Sequence, residues 1–238
     1  MGHLRTRIAV LAASIAAAGC HHGLNRAATG ATAVREIDRQ TGWRSLFDGK
    51  TLDQWRSYSD TAVRGWTVVN GVIEKGRGAR DLMTKEQFAN FELELEWKIG
   101  KAGNSGVFYR GTTEYDHIYW SAPEYQLEDD VNADDNKTAM NRSGADYALY
   151  PTIDGHVKPF DEWNSTRIVV NGNHVEHWLN GFKLLEYEFN SPDWKAKVKA
   201  SKFNAWPNYG LAKKGYIAIQ GDHPGTLSLR NIRIRELP

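Results

Sequence analysis

The chain has 238 residues and a nearly balanced charge, with 30 Lys and Arg side chains against 29 Asp and Glu. This balance gives no electrostatic indication of a nucleic-acid partner. Cys20 is the only cysteine. An intrachain disulfide is therefore excluded, and the fold has to be held together by its hydrophobic core.

Residues 1–19 are typical of a secretory signal. Arg5 and Arg7 precede a short apolar run from Ile8 to Ala18, and small residues lead into Cys20. The run is too short to span a bilayer as a helix. It resembles a bacterial lipoprotein signal, in which the cysteine is lipidated and becomes the mature N-terminus; conventional cleavage beside a bystander cysteine is the alternative. We therefore expect a lipid-anchored protein of the bacterial cell envelope, on the periplasmic or outer-membrane face, with no other membrane contact.

Residues 20–41 are predicted to form a flexible tether, and residues 42–238 a single β domain. Short runs with apolar side chains at every second position follow one another, separated by Gly and Asn turns. Asn70-Gly71 and Asn180-Gly181 are strong hairpin signals. Helical periodicity is almost absent, and residues 193–203 are either a short helix or a charged loop. The pattern predicts an all-β sandwich.

Two segments, 104–110 and 124–128, combine strand alternation with side chains suited to binding a sugar. Val107, Tyr109, Tyr125 and Leu127 are expected to face the core, because every second side chain of a strand points the same way. The side chains expected on the opposite face are Asn104, Gly106, Phe108, Arg110, Glu124, Gln126 and Glu128. Such planar polar groups bind pairs of hydroxyls, and aromatic rings pack on the apolar face of a sugar. The alternative is a solvated face with a structural salt bridge.

The segment from Asp129 to Asn164 shows no periodicity, and loops of this length are usually functional or disordered. Residues 130–134 imitate the start of a calcium loop. Asp135 stands where that motif needs glycine, however, and Asn141 where it needs a bidentate glutamate. We expect no metal or other cofactor, and calcium at this loop remains the alternative to an exposed acidic loop.

The order of short motifs along residues 42–237 resembles the 3-keto-disaccharide hydrolase domain family of secreted bacterial proteins. Each motif alone is weak, and their order makes the match specific. The motifs are residues 42–55, residues 104–110, Glu124-Tyr125-Gln126, Glu162-Trp163-Asn164, His177-Trp178-Leu179-Asn180-Gly181, residues 215–220, Asp222-His223 and Arg230-Asn231-Ile232. The resemblance implies a concanavalin A-like jelly-roll sandwich. It also implies cleavage of glycosides whose sugar is oxidised to a ketone at carbon 3.

That chemistry makes definite demands on a site. A ketone at C3 acidifies the C2 proton; a base removes it, the enolate expels the group at C1, and water adds back. The site needs a general base, a polar clamp for the enolate oxygen and a proton donor. An ordinary glycosidase instead needs two carboxylates flanking the bond. The sequence offers Glu124 without a second carboxylate in an adjacent motif, since Glu128 is expected beyond the site, and this favours the keto-sugar reaction.

Glu124 is the first candidate for the base, and His177 and His223 are the alternatives because histidine titrates near neutral pH. The candidates for binding a small carbohydrate substrate are Asn104, Tyr109, Arg110, Gln126, Trp163, Gln220 and Arg230. Structural roles remain open for several of these, including a core position for His177 and strand bridging for Arg230. The competing hypotheses are a non-catalytic carbohydrate-binding lipoprotein on the same fold and an ordinary endoglucanase.

We predict that Cys20→Ala releases the protein from the membrane fraction into the soluble fraction, because the substitution removes the atom that carries the lipid. Fractionation of cells followed by immunoblotting measures the distribution. Ser14→Ala, within the same apolar run, should leave the protein in the membrane fraction. Unchanged membrane association of the Cys20→Ala protein would contradict lipidation at this residue.

Overall fold

A computed structural model describes Asp38 and residues 40–238 of the chain. The predicted signal, Cys20 and nearly all of the predicted tether lie outside these residues. The described part contains thirteen strands. They are β1 Trp43–Ser45, β2 Trp55–Ser57, β3 Trp66–Val69, β4 Val72–Lys75, β5 Leu82–Phe88, β6 Phe91–Ile99, β7 Asn104–Gly111, β8 Glu124–Glu128, β9 Asn164–Asn171, β10 His174–Leu179, β11 Phe182–Glu188, β12 Gly215–Ile219 and β13 Leu227–Glu236.

The strands form two antiparallel sheets. The larger sheet has the order β11-β10-β9-β6-β13-β4-β3, and β1 also pairs with β13. The smaller sheet has the order β2-β5-β12-β7-β8. The two sheets face each other across one core, so the prediction of an all-β sandwich is confirmed.

Tight turns set the register of two hairpins in the larger sheet. Asn70 and Gly71 join β3 to β4 with φ of 50° and 80°, and Asn180 and Gly181 join β10 to β11 with φ of 50° and 86°. Two consecutive residues with positive φ match the twist of the flanking strands, and Asn-Gly adopts this conformation readily. Both hairpins therefore occur where the sequence predicts them.

Alternation along each strand separates the core from the outer faces. In β6, Leu93, Leu95 and Trp97 are buried between the sheets, whereas Glu94 and Glu96 lie on the outer face of the larger sheet. The smaller sheet contributes to the core the buried side chains of Trp55, Leu82, Val107, Tyr109, Tyr125, Leu127, Ile217 and Ile219. The outer face of the smaller sheet is left for the residues between these.

A helix and two 3₁₀ turns flank the smaller sheet. Helix α1 spans Pro192–Ala200, with Pro at its start and the Ser191 hydroxyl accepting a hydrogen bond from the Trp194 backbone N–H at 3.1 Å. The helical alternative for residues 193–203 is therefore correct as far as Ala200. The 3₁₀ turns are Ile118–Trp120 and Lys202–Ala205. No helix of the described residues is long and apolar enough to cross a membrane.

The long segment between β8 and β9 covers the free edge of β8. The Gln126 backbone N–H donates to the Ala145 carbonyl at 3.2 Å, and the Gly144 N–H donates to the Gln126 carbonyl at 2.9 Å. An uncovered edge strand would present unpaired backbone groups to solvent. The segment thus closes one side of the face that carries Glu124.

Candidate active site

The register of β7 and β8 places Glu124 and Gln126 side by side on the outer face of the smaller sheet. Glu124 lies opposite Phe108, and Gln126 lies opposite Gly106. Directly opposed residues share a face. Because the neighbouring Tyr125 belongs to the core, the acid and the amide point away from it.

The carboxyl group of Glu124 lies over the backbone of Gly106. A Cβ atom at position 106 would collide with Glu124 Oε1. Glu124 is 6% exposed, and this burial raises the pKa of its carboxyl well above the usual range. The ammonium of Lys202 acts in the opposite direction and favours the charged form. The charge of Lys202 therefore offsets part of the effect of burial, and Glu124 still gains and loses its proton at a higher pH than an exposed glutamate.

Asp81 lies further along the same row of the sheet and was not identified from the sequence. The Gln220 backbone N–H donates to the Gly106 carbonyl at 2.9 Å, and the Gly221 N–H donates to Asp81 Oδ1 at 2.9 Å. The order across the face is thus Gly106, Gln220, Asp81, which spans about 10 Å at about 4.8 Å per strand. Burial raises the pKa of Asp81 to about 7.

Asp81 also changes one sequence argument. No second carboxylate stands in a motif adjacent to Glu124, as the sequence analysis states, but Asp81, which lies outside all the motifs and immediately before β5, acts on the pKa of Glu124. A sequence signal existed: Asp81 stands two residues before Met83, which belongs to the outer-face cluster, and strand alternation puts both on one face.

The 3₁₀ turn Ile118–Trp120 covers the neighbouring row of the sheet. Its Ile118 packs into a small cluster outside the main core, and the Tyr119 ring lies 6.3 Å from the Phe108 ring. Burial first, and then the charges of Asp222, Asp81 and Glu124, raise the pKa of Tyr119, which places its hydroxyl in the field of all three carboxyls. Tyr119 is the half-buried aromatic ring beside the acids, and the sequence analysis did not single it out.

Lys202 comes from the 3₁₀ turn after α1. Its ammonium lies 4.4 Å from the centre of the Tyr147 ring, and the Tyr147 hydroxyl donates to Asp135 at 2.6 Å. Lys202 and Asp135 both act on the pKa of Glu124 and so approach it from the covering segments. Only the fold brings these distant parts of the sequence to the same carboxyl.

Gln220 completes the floor between the two acids. It is 4% exposed, and its amide oxygen makes no hydrogen bond within the described part of the chain. An unpaired buried acceptor is costly, and a sugar hydroxyl is a donor that would satisfy it. Gln220 is therefore well placed as a substrate-binding residue.

Asn104 and His223 border this region. Asn104 is half-buried opposite Glu128, one step beyond Gln126 on the same face. His223 is exposed in the loop after Gln220, with its Nδ1 atom 3.6 Å from Asp222 Oδ1. A cavity of about 320 Å³ runs along this loop. Both residues remain candidates at the rim of the site.

His177 and Tyr109 lie on the other side of the smaller sheet, inside the sandwich. His177 is fully buried; its Nδ1–H donates to the Gly144 carbonyl at 2.9 Å, and its Nε2 accepts from the Tyr109 hydroxyl at 2.8 Å. The Tyr109 oxygen in turn lies 2.8 Å from the Tyr187 hydroxyl. Both histidine nitrogens are occupied, and burial lowers the pKa of His177 to about 4. The structure therefore places His177 as a core residue and does not bring it to Glu124.

Arg110 departs from the predicted alternation. Its φ is 52°, and the pairing of β7 with β12 shifts at this point, which marks a bulge. The guanidinium donates to the Ala89 carbonyl at 2.8 and 2.9 Å and to Asn90 Oδ1 at 3.2 Å. The expectation that Arg110 shares a face with Glu124 was wrong, because the bulge turns the side chain toward the β5–β6 turn.

Trp163 and Arg230 are on the larger sheet, not beside Glu124. The Arg230 guanidinium lies 4.0 Å from the centre of the Trp163 ring, and its Nε donates to Glu96 at 2.6 Å. Glu96 faces outward from β6, so this group lies on the opposite outer face of the sandwich. The structure separates these two residues from the other candidates.

A groove of about 940 Å³ lies on the outer face of the larger sheet. An ion pair across neighbouring strands lines it, that of Arg233 with Glu94 at 2.5 Å. Its two glutamates, Glu94 and Glu96, are paired with arginines, whereas Glu124 and Asp81 are buried carboxyls with raised pKa values. Buried acids with strongly perturbed pKa values are candidates for a functional site.

One cluster of side chains among the described residues has its ligand atoms close enough together to hold a cation. His174, Glu176 and Glu186 cluster on β10 and β11, but the Lys183 ammonium lies 2.6 Å from Glu186 and supplies a positive charge there. In the acidic loop, Asp130 accepts a hydrogen bond from the Ser143 N–H at 2.9 Å. Calcium at that loop stays an untested alternative to the expected acidic loop.

Comparison with known proteins identifies the family. The sequence profile of the 3-keto-alpha-glucoside-1,2-lyase-like domain matches residues 42–235. A 3-keto-disaccharide hydrolase from Bacteroides thetaiotaomicron is 37% identical over 229 residues, which cover 82% of this chain and 79% of that protein. The chain therefore belongs to the family of 3-keto-alpha-glucoside-1,2-lyase-like domains, as its motifs predict.

Solved structures support the same assignment. Two crystal structures from Parabacteroides distasonis, each of a protein proposed to be a glycosyl hydrolase, superpose with TM-scores of 0.78 and 0.67 at 34% and 32% identity. The matches cover 83% and 82% of this chain and 94% and 99% of those chains. A Bacillus subtilis protein with a galectin-like fold has a TM-score of 0.50 at 12% identity over 76% of this chain and 89% of its own, which shows the fold alone.

We predict that His177 makes the folded state less stable as the pH falls. The pKa of His177 is about 4 in the folded protein against an ordinary 6.5, so the unfolded chain binds the extra proton between these values. The loss should approach about 3 kcal/mol by pH 4, at 1.36 kcal/mol per pKa unit. Urea unfolding from pH 7 to pH 4 measures it.

The His177→Gln protein should start less stable at pH 7 and show a shallower fall. His156→Gln, in the segment between β8 and β9, is the matched control and should keep the wild-type slope. An unchanged slope in His177→Gln would show that this histidine is not the group responsible.

Proposed function

We propose that the protein cleaves 3-keto-glycosides on the outer face of the smaller sheet. The observation that carries the proposal is the buried carboxyl of Glu124 over Gly106, in one row with Gln220 and Asp81. The family to which the chain belongs and the name of its Bacteroides relative support the substrate class. The sugar would lie across this row.

Glu124 would be the base that removes the C2 proton. Burial makes it a stronger base than an exposed glutamate once it is ionised, because the raised pKa increases its affinity for the proton. The same shift leaves it protonated at low pH, when it cannot act. Lys202 favours the ionised form and would also stabilise negative charge that develops on the enolate oxygen.

The amides and the aromatic ring would orient the sugar. The free amide oxygen of Gln220 would accept a hydrogen bond from a hydroxyl, and the Gln126 amide lies one strand beyond Gly106. The half-buried Tyr119 ring offers an apolar surface beside the acids.

One observation favours a second function. Two carboxyls separated by a gap on the order of one sugar ring are also the equipment of an inverting glycosidase, in which they lie about 6.5–9.5 Å apart. The spacing of about 10 Å between Gly106, beneath the Glu124 carboxyl, and Asp81 is close to this range. A non-catalytic sugar-binding role is the third alternative, and it would not require either carboxyl to titrate.

We also propose that the protein works at the cell envelope as a lipoprotein. The signal and Cys20 carry this part of the proposal. The substrate would then be a small glycoside outside the cytoplasm.

We predict turnover of 3-keto-sucrose or 3-keto-trehalose and little or none of sucrose or trehalose, because only the ketone acidifies the C2 proton. Chromatographic detection of the released sugar measures both. Equal rates on the oxidised and parent sugars would indicate an ordinary glycosidase instead. Binding of these sugars without turnover would identify the sugar-binding alternative.

We predict that Glu124→Gln lowers kcat by roughly 10²–10⁴-fold, the usual contribution of a general base. In the wild type, kcat/KM should rise with pH through a titration above the ordinary glutamate range, because the carboxyl must ionise before it accepts a proton. This rise should disappear in Glu124→Gln.

Glu94→Gln on the outer face of the larger sheet makes the same chemical change elsewhere and should retain the wild-type rate and profile. Thermal unfolding of each variant separates misfolding from lost chemistry. A folded Glu124→Gln protein with full turnover would eliminate Glu124 as the base.

A further inference from the structure

We infer that Asp81 is the second proton-transfer residue of this site, donating a proton to the oxygen that leaves C1 while Glu124 takes the proton from C2. The inference rests on the proposed function and adds a residue that no motif of the sequence identifies. Asp81 would act in the departure of the leaving group, whereas Glu124 would act in the removal of the C2 proton.

The position of Asp81 fits the role. It follows Gln220 in the row that starts at Gly106, so about 10 Å of sheet separates it from the point beneath the Glu124 carboxyl. A sugar ring laid on Gln220 would have one acid at each side. Elimination across C1 and C2 needs a base at one carbon and an acid at the substituent of the next, which this spacing provides.

The environment of Asp81 keeps one oxygen free. The Gly221 N–H holds Oδ1 at 2.9 Å, and Oδ2 makes no hydrogen bond within the described part of the chain. Burial raises the pKa of Asp81 to about 7, and the charge of Asp222 acts in the same direction. Near neutral pH the carboxyl therefore carries a proton much of the time, as a general acid requires.

The proton balance closes with water as the one further reactant. The Glu124 carboxylate accepts the C2 proton, and the C2–H electron pair forms the enolate of the C3 ketone. The enolate electrons then form the C1=C2 double bond as the C3 carbonyl is restored and the C1–O bond breaks. The Asp81 proton goes to the leaving oxygen. Water then adds at C1 and loses a proton to Asp81, and Glu124 returns a proton to C2, which restores both residues.

Two neighbouring groups are weaker candidates. Glu128 also has a pKa raised by burial, to about 8, but it has no exposed surface and lies opposite Asn104, beyond Gln126. The Tyr119 hydroxyl lies among the acids, yet burial raises its pKa, so its proton is held more tightly than that of Asp81. Tyr119→Phe is therefore a useful comparison in the same assay.

Leaving-group dependence tests the role. The probes are methyl and 4-nitrophenyl 3-keto-glucosides, whose leaving oxygens do and do not need protonation. Asp81→Asn should lower kcat on the methyl glycoside by roughly 10²–10⁴-fold and on the nitrophenyl glycoside by less than about 10-fold. Asp53→Asn, an exposed aspartate in the turn before β2, is the matched control and should leave both rates unchanged.

Equal losses on the two substrates would assign Asp81 a structural role and overturn the inference, as would unchanged rates. A selective loss in Tyr119→Phe, with none in Asp81→Asn, would transfer the role to the tyrosine.

If Asp81→Asn does not fold, the wild type supplies the test. Its rates with a series of aryl 3-keto-glucosides should depend weakly on leaving-group acidity below the Asp81 titration and steeply above it. A steep dependence at every pH would overturn the inference. Wild-type protein that turns over no 3-keto-glycoside would instead overturn the proposed function itself.

Discussion

The contact between the Glu124 carboxyl and the backbone of Gly106 is the constraint on which the site depends. A carboxyl withdrawn from water is disfavoured in its charged form, and its raised pKa records that cost. The arrangement persists because Gly106 has no side chain to compete for the space and because the positive charge of Lys202 favours the ionised Glu124 carboxylate. Replacing Gly106 with a residue that has a side chain would displace the Glu124 carboxyl, although the carboxyl itself would be chemically unchanged. The glycine therefore acts as a positioning residue even though it contributes no functional group.

The sandwich supplies rigid support for this contact. Tyr109 and Tyr125 lie within the core next to outward-facing neighbours, so the same pleat fixes both the hydrophobic interior and the polar face. On the inner side, the bonds among Gly144, His177 and Tyr109 join the larger sheet to the segment covering β8. A buried network that is fully hydrogen-bonded rigidifies its surroundings. The covering segment is thereby tied to the core behind the strand that carries Glu124.

The sequence predicts the features that depend on local periodicity, namely which strand residues share a face and where the hairpin turns lie. Alternation in β7 and β8 places Glu124 and Gln126 together, and Asn-Gly turns mark two hairpins. Arg110 does not follow this alternation because a bulge, at which Arg110 has a positive φ, interrupts the strand. No single residue of the segment indicates the bulge in the sequence. The sequence analysis places Trp163 and Arg230 in the same site as Glu124, although they lie on the other sheet. Periodicity predicts which face of its sheet a side chain points to, but it does not predict which sheet the strand joins. Asp81 and Lys202 come from segments far apart in the chain, so only the strand order β5-β12-β7-β8 and the packing of the turn after α1 bring them near.

The two acids also explain why fold alone leaves the reaction open. A pair of carboxyls across a sugar-sized gap serves either direct displacement at C1 or elimination across C1 and C2, and the sheet spacing satisfies both. The difference lies in what each reaction asks of its base. Displacement uses a base to activate water and works with an ordinary ionised carboxylate, whereas removal of a proton from carbon benefits from a stronger base. Burial of Glu124 raises its proton affinity in the direction that carbon acids require, while Lys202 keeps ionisation accessible. The environment of Glu124, more than its distance from Asp81, therefore favours elimination over displacement.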